Sequence, residues 1–270
     1  MTDAQMRFFK QNGYVSLGKI LTDAEVDQFT ALFERDRANG HWYRFGHHQT
    51  INCDALFTSP AFDRIVRHPA VMEALRQLMG PNPCFSEICL RNMEAYEGEF
   101  HQAWHRDGPR HWMEHPLRVG FLQLMLYFTD VDETTHCFSI SPESVDEPIL
   151  ENDQQLERGG KRDLYGEAGT GILFNIGALH TATTRPTQSE RKTAQIYYGF
   201  ADRPYLSEDS IIPAQFWRGS SDESTRLFYG NLNAKTRGFY ESGEFNAKEP
   251  TEEALERLRE LDVKYGRRRP

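Results

Sequence analysis

Between residues 84 and 200 the apolar residues come in short runs. Residues 84–96, 117–131, 171–177 and 193–200 are rich in Ile, Val, Leu, Phe and Tyr, and each run is bounded by Gly, Pro or Asp. β-branched and aromatic residues in such runs suit a pleated, half-buried surface. Many short strands in succession must bury their apolar faces against one another, which predicts a β-sandwich or jelly roll.

The flanks read as helices wrapped around that core. Thr2-Asp-Ala-Gln5 and Thr22-Asp-Ala-Glu25 both fit a capping box, in which a hydroxyl and a Glu or Gln satisfy free backbone amides. Val26, Phe29, Leu32 and Phe33 then recur at helical spacing, as do Phe62, Ile65, Val66, Val71, Leu75 and Leu78 before Gly80-Pro81. A short strand is expected in Gly13–Leu17. A last helix is expected from about Thr251 to Val263, through Leu255, Leu258 and Leu261. Residues 142–169 are polar and Gly-rich and read as a long loop, and 203–249 hold scattered aromatics with little period. The expectation is one domain over 1–270: a helical part in 1–80, a jelly-roll core in 84–200 and a C-terminal cover in 203–270.

Charge and composition narrow the function. A formal net charge of −9 disfavours a nucleic-acid partner, which needs a basic face. No apolar run is long enough for a membrane span, and the start lacks the basic and apolar blocks of a signal peptide. The cysteines Cys53, Cys84, Cys89 and Cys137 form no CxxC pair, so a reduced, cytoplasmic setting is expected.

The stretch WHRDGP carries the chemistry. Residues i and i+2 of a strand share a face, so His105 and Asp107 present an imidazole and a carboxylate side by side. Alone, the pair fits a metal site or a surface turn with a capping Asp equally well. A third ligand is supplied by His180, at the end of the apolar strand Ile172 to Ile176. Two histidines and one carboxylate with open positions favour non-heme Fe(II) that activates oxygen. Arg191 opens the next apolar strand, where a guanidinium is suited to grip a carboxylate through two parallel hydrogen bonds.

These segments together resemble the phytanoyl-CoA dioxygenase family of Fe(II)/2-oxoglutarate oxygenases. FFKQNGYVSLGKILTDAEVDQF is similar to the family's N-terminal segment, WHRDGP to its HxD turn, and GILFNIGALHTATTRPTQSERK to its distal His and Arg. The resemblance implies a double-stranded β-helix of cupin-like type, mainly β with α. It implies Fe(II) on His105, Asp107 and His180, and 2-oxoglutarate on Arg191. It implies O2 as oxidant and release of succinate and CO2. Asn92 resembles a co-substrate-binding Asn of ectoine-hydroxylase-like members; its other reading is an ordinary polar strand residue. A retained Asp107 favours hydroxylation over halogenation, and the expected partner is a small polar molecule. The alternative is a non-catalytic or isomerase-type metal-binding protein on the same fold.

The chain departs from the family's pattern in places. Ala182 stands where a Ser or Thr often helps hold the co-substrate, FSISPESVDEP replaces a PGSH-like turn, and Arg185 lies where an Asn is usual. Weaker signals surround the motif. His111 and His115 are spaced as zinc ligands but lack the HExxH glutamate. His47 and His48 read as pocket-mouth or surface residues, and His101 as a pocket or exposed strand residue. Gln123, Met125 and Tyr127 share a strand face, with Gln123 needing a polar partner. Arg106, Arg110 and Trp112 read as solvated or as recognising an anionic substrate. Phe216, Trp217, Phe228 and Tyr229 either pack on the barrel or close over a ligand.

Overall fold

The computed structural model describes residues 1–38, 41–46, 48–107, 120–203, 208–241 and 251–265. Helix α1 (Asp3–Asn12) begins at the expected capping box: Gln5 N–H donates to Thr2 Oγ1 at 3.2 Å, and Thr2 N–H to Gln5 Oε1 at 2.9 Å. It stops at Gly13, whose φ of 75° is the left-handed conformation that glycine adopts without penalty. A Cβ there would also lie 2.8 Å from the Glu143 carbonyl oxygen. Helix α2 (Asp23–Ala38) repeats the box, with Glu25 N–H on Thr22 Oγ1 at 3.3 Å. Three further helices, α3 (Ala55–Thr58), α4 (Asp63–Val66) and α5 (Pro69–Met79), complete the N-terminal wrap.

The strands are β1 (Tyr14–Lys19), β2 (Tyr43–Arg44), β3 (Gln49–Asn52), β4 (Pro83–Met93), β5 (His101–Gln102), β6 (Leu122–Tyr127), β7 (Cys137–Ile140), β8 (Arg162–Leu164), β9 (Thr170–Asn175), β10 (His180–Thr184) and β11 (Arg191–Phe200). They form two antiparallel sheets, one ordered β1-β9-β6-β11-β4-β3-β2 and the other β5-β10-β7-β8. From β4 to β11 the chain crosses between the sheets at every step except β7 to β8, as in a double-stranded β-helix.

Strand alternation divides the large sheet into two faces. Ile88, Leu90, Leu122, Leu124, Leu126, Ala194 and Ile196 face outward and share one core with Phe29 and Phe33 of α2 and Val71 and Leu75 of α5. Each such burial stabilises by about 1.5–3 kcal/mol, so the helices are held by the sheet's outer face. The inner face packs on the small sheet through Met125, Tyr127, Phe138, Ile140, Ile172 and Phe174. The rest of the inner face mixes polar Arg191, Thr193, Gln195 and Gln123 with Ile51, Cys89 and Met93, and the site forms there.

The reading of 142–169 as a loop is corrected, because it contains helix α6 (Asn152–Gly159) and strand β8. Gln155 is the one buried residue of α6, so no apolar stripe marked the helix. The segment after β11 holds α7 (Ala214–Trp217), α8 (Glu223–Tyr229) and α9 (Ala234–Glu241), and the last helix is α10 (Glu252–Tyr265). Phe216, Trp217, Phe228 and Tyr229 pack with the outer core, not over the inner face. Tyr229 packs against Phe85 with the rings tilted by 51° and donates its hydroxyl to Asp63 at 2.6 Å. Among the described residues no helix is long and apolar enough to cross a membrane.

Candidate metal centre and co-substrate pocket

The two histidines meet because their backbones pair. His105 N–H donates to His180 O, and His180 N–H to His105 O, both at 2.9 Å, in an isolated antiparallel bridge. Directly opposed residues put their side chains on one face, and the ring centroids lie 4.5 Å apart. Asp107, two residues on, is held by its N–H on Ile176 O at 3.1 Å. Its Oδ1 is 3.5 Å from His105 Nε2 and its Oδ2 is 3.7 Å from His180 Nε2. The three ligand atoms all lie within 4.8 Å of one another. Such separations suit one divalent ion with bonds of about 2.0–2.2 Å after a small closure.

The surroundings orient the donors. His105 Nδ1 lies 2.8 Å from Ala103 O and His180 Nδ1 2.9 Å from Ala178 O. A carbonyl only accepts, so each Nδ1 carries the hydrogen and each Nε2 is left for a ligand bond. Burial and the adjacent His180 lower the pKa of His105, favouring the neutral form that ligates. Burial pushes the Asp107 carboxyl up, but His180, His105 and a hydrogen bond from Tyr197 outweigh it and hold the carboxyl well below its usual range. Tyr197 Oη donates to Asp107 Oδ2 at 2.8 Å. The acid is therefore ionised at neutral pH, as a metal ligand must be.

Arg191 opens β11 on the inner face, with 1% of its surface exposed. Its Nε, Nη1 and Nη2 are buried, with no hydrogen-bond partner among the described residues. An unpaired buried guanidinium costs several kcal/mol, and a carboxylate entering the pocket removes that cost through paired N–H···O bonds. The donor set thus fits a divalent metal, and the orphaned fork fits the distal carboxylate of 2-oxoglutarate.

Asn92 is not brought to this site. It pairs in register with Lys192, whose Nζ reaches Glu34 of α2 at 2.7 Å, so both stand on the outer, helix-covered face. Its Nδ2 donates to Glu190 Oε1 at 3.3 Å. The reading of Asn92 as a co-substrate residue is corrected on that geometry. Ala182 offers no hydroxyl, and its neighbours do not replace it. Thr181 Oγ1 accepts from Ala103 N–H at 3.0 Å, and Thr183 Oγ1 accepts from Gln102 at 2.8 Å, both away from the pocket. Arg106 is bound by Glu143 Oε2 at 3.0 Å and Asn152 Oδ1 at 2.9 Å, so it anchors the HxD turn and does not face a substrate. His101 is exposed on β5. Gln123 is buried on the inner face between Tyr197 and Phe174. His48 reaches Thr184 Oγ1 at 3.1 Å and packs against Tyr96 and His136. His47, Arg110, His111, Trp112 and His115 lie outside the described residues.

Sequence reasoning missed Tyr197, which reads as one more core aromatic. Its signal was parity: counting by twos from Arg191 along β11 reaches Thr193, Gln195 and Tyr197 on one face.

Known proteins point the same way. Residues 9–193 match the family model described as phytanoyl-CoA dioxygenase (PhyH). No curated protein sequence matches the chain. The chain is similar in fold to the non-heme alpha ketoglutarate dependent epimerase SnoN from nogalamycin biosynthesis, at TM-score 0.65 and 18% identity, covering 77% of this chain and 86% of that one. The carbocyclase SnoK of the same biosynthesis gives TM-score 0.64 and 20% identity, covering 76% and 86%. EctD from S. alaskensis gives 0.63 and 18%, covering 80% and 83%. At these identities the structures establish the fold, and the family match extends over more than half of the chain. The protein belongs to the phytanoyl-CoA dioxygenase family of Fe(II)/2-oxoglutarate-dependent enzymes, whose cofactors are Fe(II), 2-oxoglutarate and O2.

Proposed function

We propose that this protein hydroxylates a C–H bond of a small polar molecule, converting 2-oxoglutarate to succinate and CO2. The observation that carries the reading is the open His105, Asp107, His180 set, anchored through β10 of the small sheet, together with the Arg191 guanidinium on the inner face of the large sheet, which has no partner among the described residues. An inert cupin-like protein, or an isomerase that binds no 2-oxoglutarate, has no use for that buried cation.

His105, Asp107 and His180 would hold Fe(II), and Arg191 the distal carboxylate of 2-oxoglutarate. Bound Fe(II) supplies oxygen activation and the cleavage of the substrate C–H bond. The chain's own residues do the positioning. Ala103 O and Ala178 O fix the imidazole tautomers. Tyr197 fixes the Asp107 carboxylate and keeps it ionised. Phe138 and Phe174, whose rings lie 5.6 and 4.9 Å from that of His180, present an apolar wall that excludes water behind that ligand. A net charge of −9 favours a small substrate over a nucleic acid or an acyl-CoA. Four buried free thiols are compatible with a reducing, cytoplasmic setting. The chain would act as one catalytic unit.

The neighbours named for epimerisation and carbocyclisation show that this fold serves other outcomes of the same chemistry. The test is a screen of amino acids, organic acids, phosphonates and acyl-CoA thioesters with Fe(II) and 2-oxoglutarate. It reads succinate and, by mass spectrometry, a product one oxygen heavier. Succinate formed with a product of unchanged mass or two hydrogens lighter would replace hydroxylation by epimerisation or by ring closure and desaturation. No substrate-dependent succinate with any compound would contradict the oxygenase reading.

A further inference from the structure

We propose that Arg91 forms an anion subsite on the wall of this pocket and selects a substrate that carries a carboxylate. The proposal rests on the oxygenase reading above and extends it to the substrate's chemistry.

Arg91 interrupts a strand whose neighbours are Ile88, Cys89, Leu90 and Met93, all buried. In register it stands opposite Thr193 of β11 on one side and Ile51 of β3 on the other. Thr193 shares the inner face with Arg191, so Arg91 stands on that face too, one row from Arg191 and on its β3 side. Its charge is felt there: after burial and the opposing effects of Tyr127 and Cys137, it helps to lower the proton affinity of Arg191.

The guanidinium is half-built as a clamp. Gln49 Oε1 accepts from Nη1 at 3.2 Å and fixes the group's plane, while the Phe45 ring lies 5.4 Å from Cζ. Nε is buried and makes no hydrogen bond among the described residues. Elsewhere Arg44, Arg67, Arg106 and Arg185 each face a carboxylate, on Glu94, Asp63, Glu143 and Asp163. Among the described residues Arg91 faces none. Its free Nε–Nη2 edge presents two parallel N–H groups, the spacing that matches two carboxylate oxygens. The co-substrate does not need this second cation, because Arg191 offers a full fork for one carboxylate and the metal takes the other end. The surplus positive charge is left for the substrate.

The test uses the anaerobic protein loaded with Fe(II) and saturating 2-oxoglutarate, with benzoate and benzamide as matched probes. Binding is followed by ligand-observed NMR titration. Benzoate is expected to bind at least about tenfold more tightly than benzamide. That preference should vanish in Arg91→Gln and survive in part in Arg91→Lys. The affinity for 2-oxoglutarate should fall far less in Arg91→Gln than in Arg191→Gln. Equal or undetectable binding of acid and amide to the wild-type protein overturns the proposal, as does a preference that persists in Arg91→Gln. A loss of 2-oxoglutarate affinity in Arg91→Gln as large as in Arg191→Gln also overturns it, assigning Arg91 to the co-substrate clamp. Failure of the wild-type protein to bind 2-oxoglutarate would instead defeat the oxygenase reading itself.

Discussion

Among the described residues two cations are fully buried, and they are treated in opposite ways. Lys235 of α9 has no exposed surface. Its Nζ donates to Asp54 Oδ2 at 2.8 Å, to Asp262 Oδ1 at 2.6 Å and to the Asp209 carbonyl at 2.7 Å. All three ammonium hydrogens are used. Burial lowers its proton affinity, but Asp54 and Asp262 outweigh that, and the lysine stays charged. The cluster joins α9, α10 and the turn before α3. Arg191 is as deeply buried, yet among the described residues none of its three nitrogens has a partner. A closed cation holds chain segments together, whereas an open one is reserved for something that arrives. The difference separates architecture from chemistry in the same interior.

The comparison is broken most severely at the metal ligands. His105→Ala and Asp107→Ala should each abolish iron-dependent turnover of 2-oxoglutarate while circular dichroism and the cooperative unfolding transition stay close to wild type. A variant that keeps full activity would remove that residue from the metal site.

At the closed cation the effect should fall on stability. Lys235→Met leaves Asp54 and Asp262 facing each other with only the His41 ring beside both, at 3.4 and 3.6 Å, and breaking a buried pair in this way costs about 3–5 kcal/mol. Urea denaturation measures it; a loss below about 1 kcal/mol would mean that the cluster does not tie down the C-terminal helices. Arg191→Met should do the reverse. With no internal partner to abandon, the ligand-free protein should be as stable as wild type or more so, by up to about 1–4 kcal/mol. A large destabilisation there would show that the guanidinium is structural after all.

The smallest expected effect is in pH dependence. His136 lies near Arg191 and Arg185, and burial, helped by these charges and His48, brings its pKa down to about 4. The folded protein therefore binds fewer protons than the unfolded chain between about pH 4 and the usual histidine value of about 6.5. Stability should rise with pH across that window and be lost as pH falls through it. In His136→Asn this slope should flatten, and an unchanged slope would assign the dependence to other groups.

The sequence made parts of this legible for physical reasons. Parity in WHRDGP placed His105 and Asp107 together, and the apolar strand leading to His180 announced where the third side chain would emerge. The same rule was silent at Asn92, which was singled out by resemblance alone. Strand β4 is buried on both faces, so no alternation of apolar and polar residues shows which way Asn92 points. Its face is set by pairing with β11, which carries an irregularity at Tyr197/Tyr198. Arg91 and Asn92 are adjacent, and only the register tells which of them faces the pocket. The Lys235 cluster was invisible because its partners, Asp54 and Asp262, lie far away along the chain and carry no local pattern. Helix α6 escaped notice because it buries a glutamine where a helix usually buries a leucine.

The account's central claim is that the open guanidinium and the open ligand set serve one co-substrate. Anaerobic titration of Fe(II)-loaded protein with 2-oxoglutarate, followed by the visible absorption of the chelated complex, tests it directly. Wild type should develop the band with saturable binding, and Asp107→Ala should show none. Arg191→Gln should need far more 2-oxoglutarate, a loss of about 2–5 kcal/mol for leaving one side of a buried charge pair unmade. Absence of the band in wild type, or the same 2-oxoglutarate dependence in Arg191→Gln, would contradict the claim.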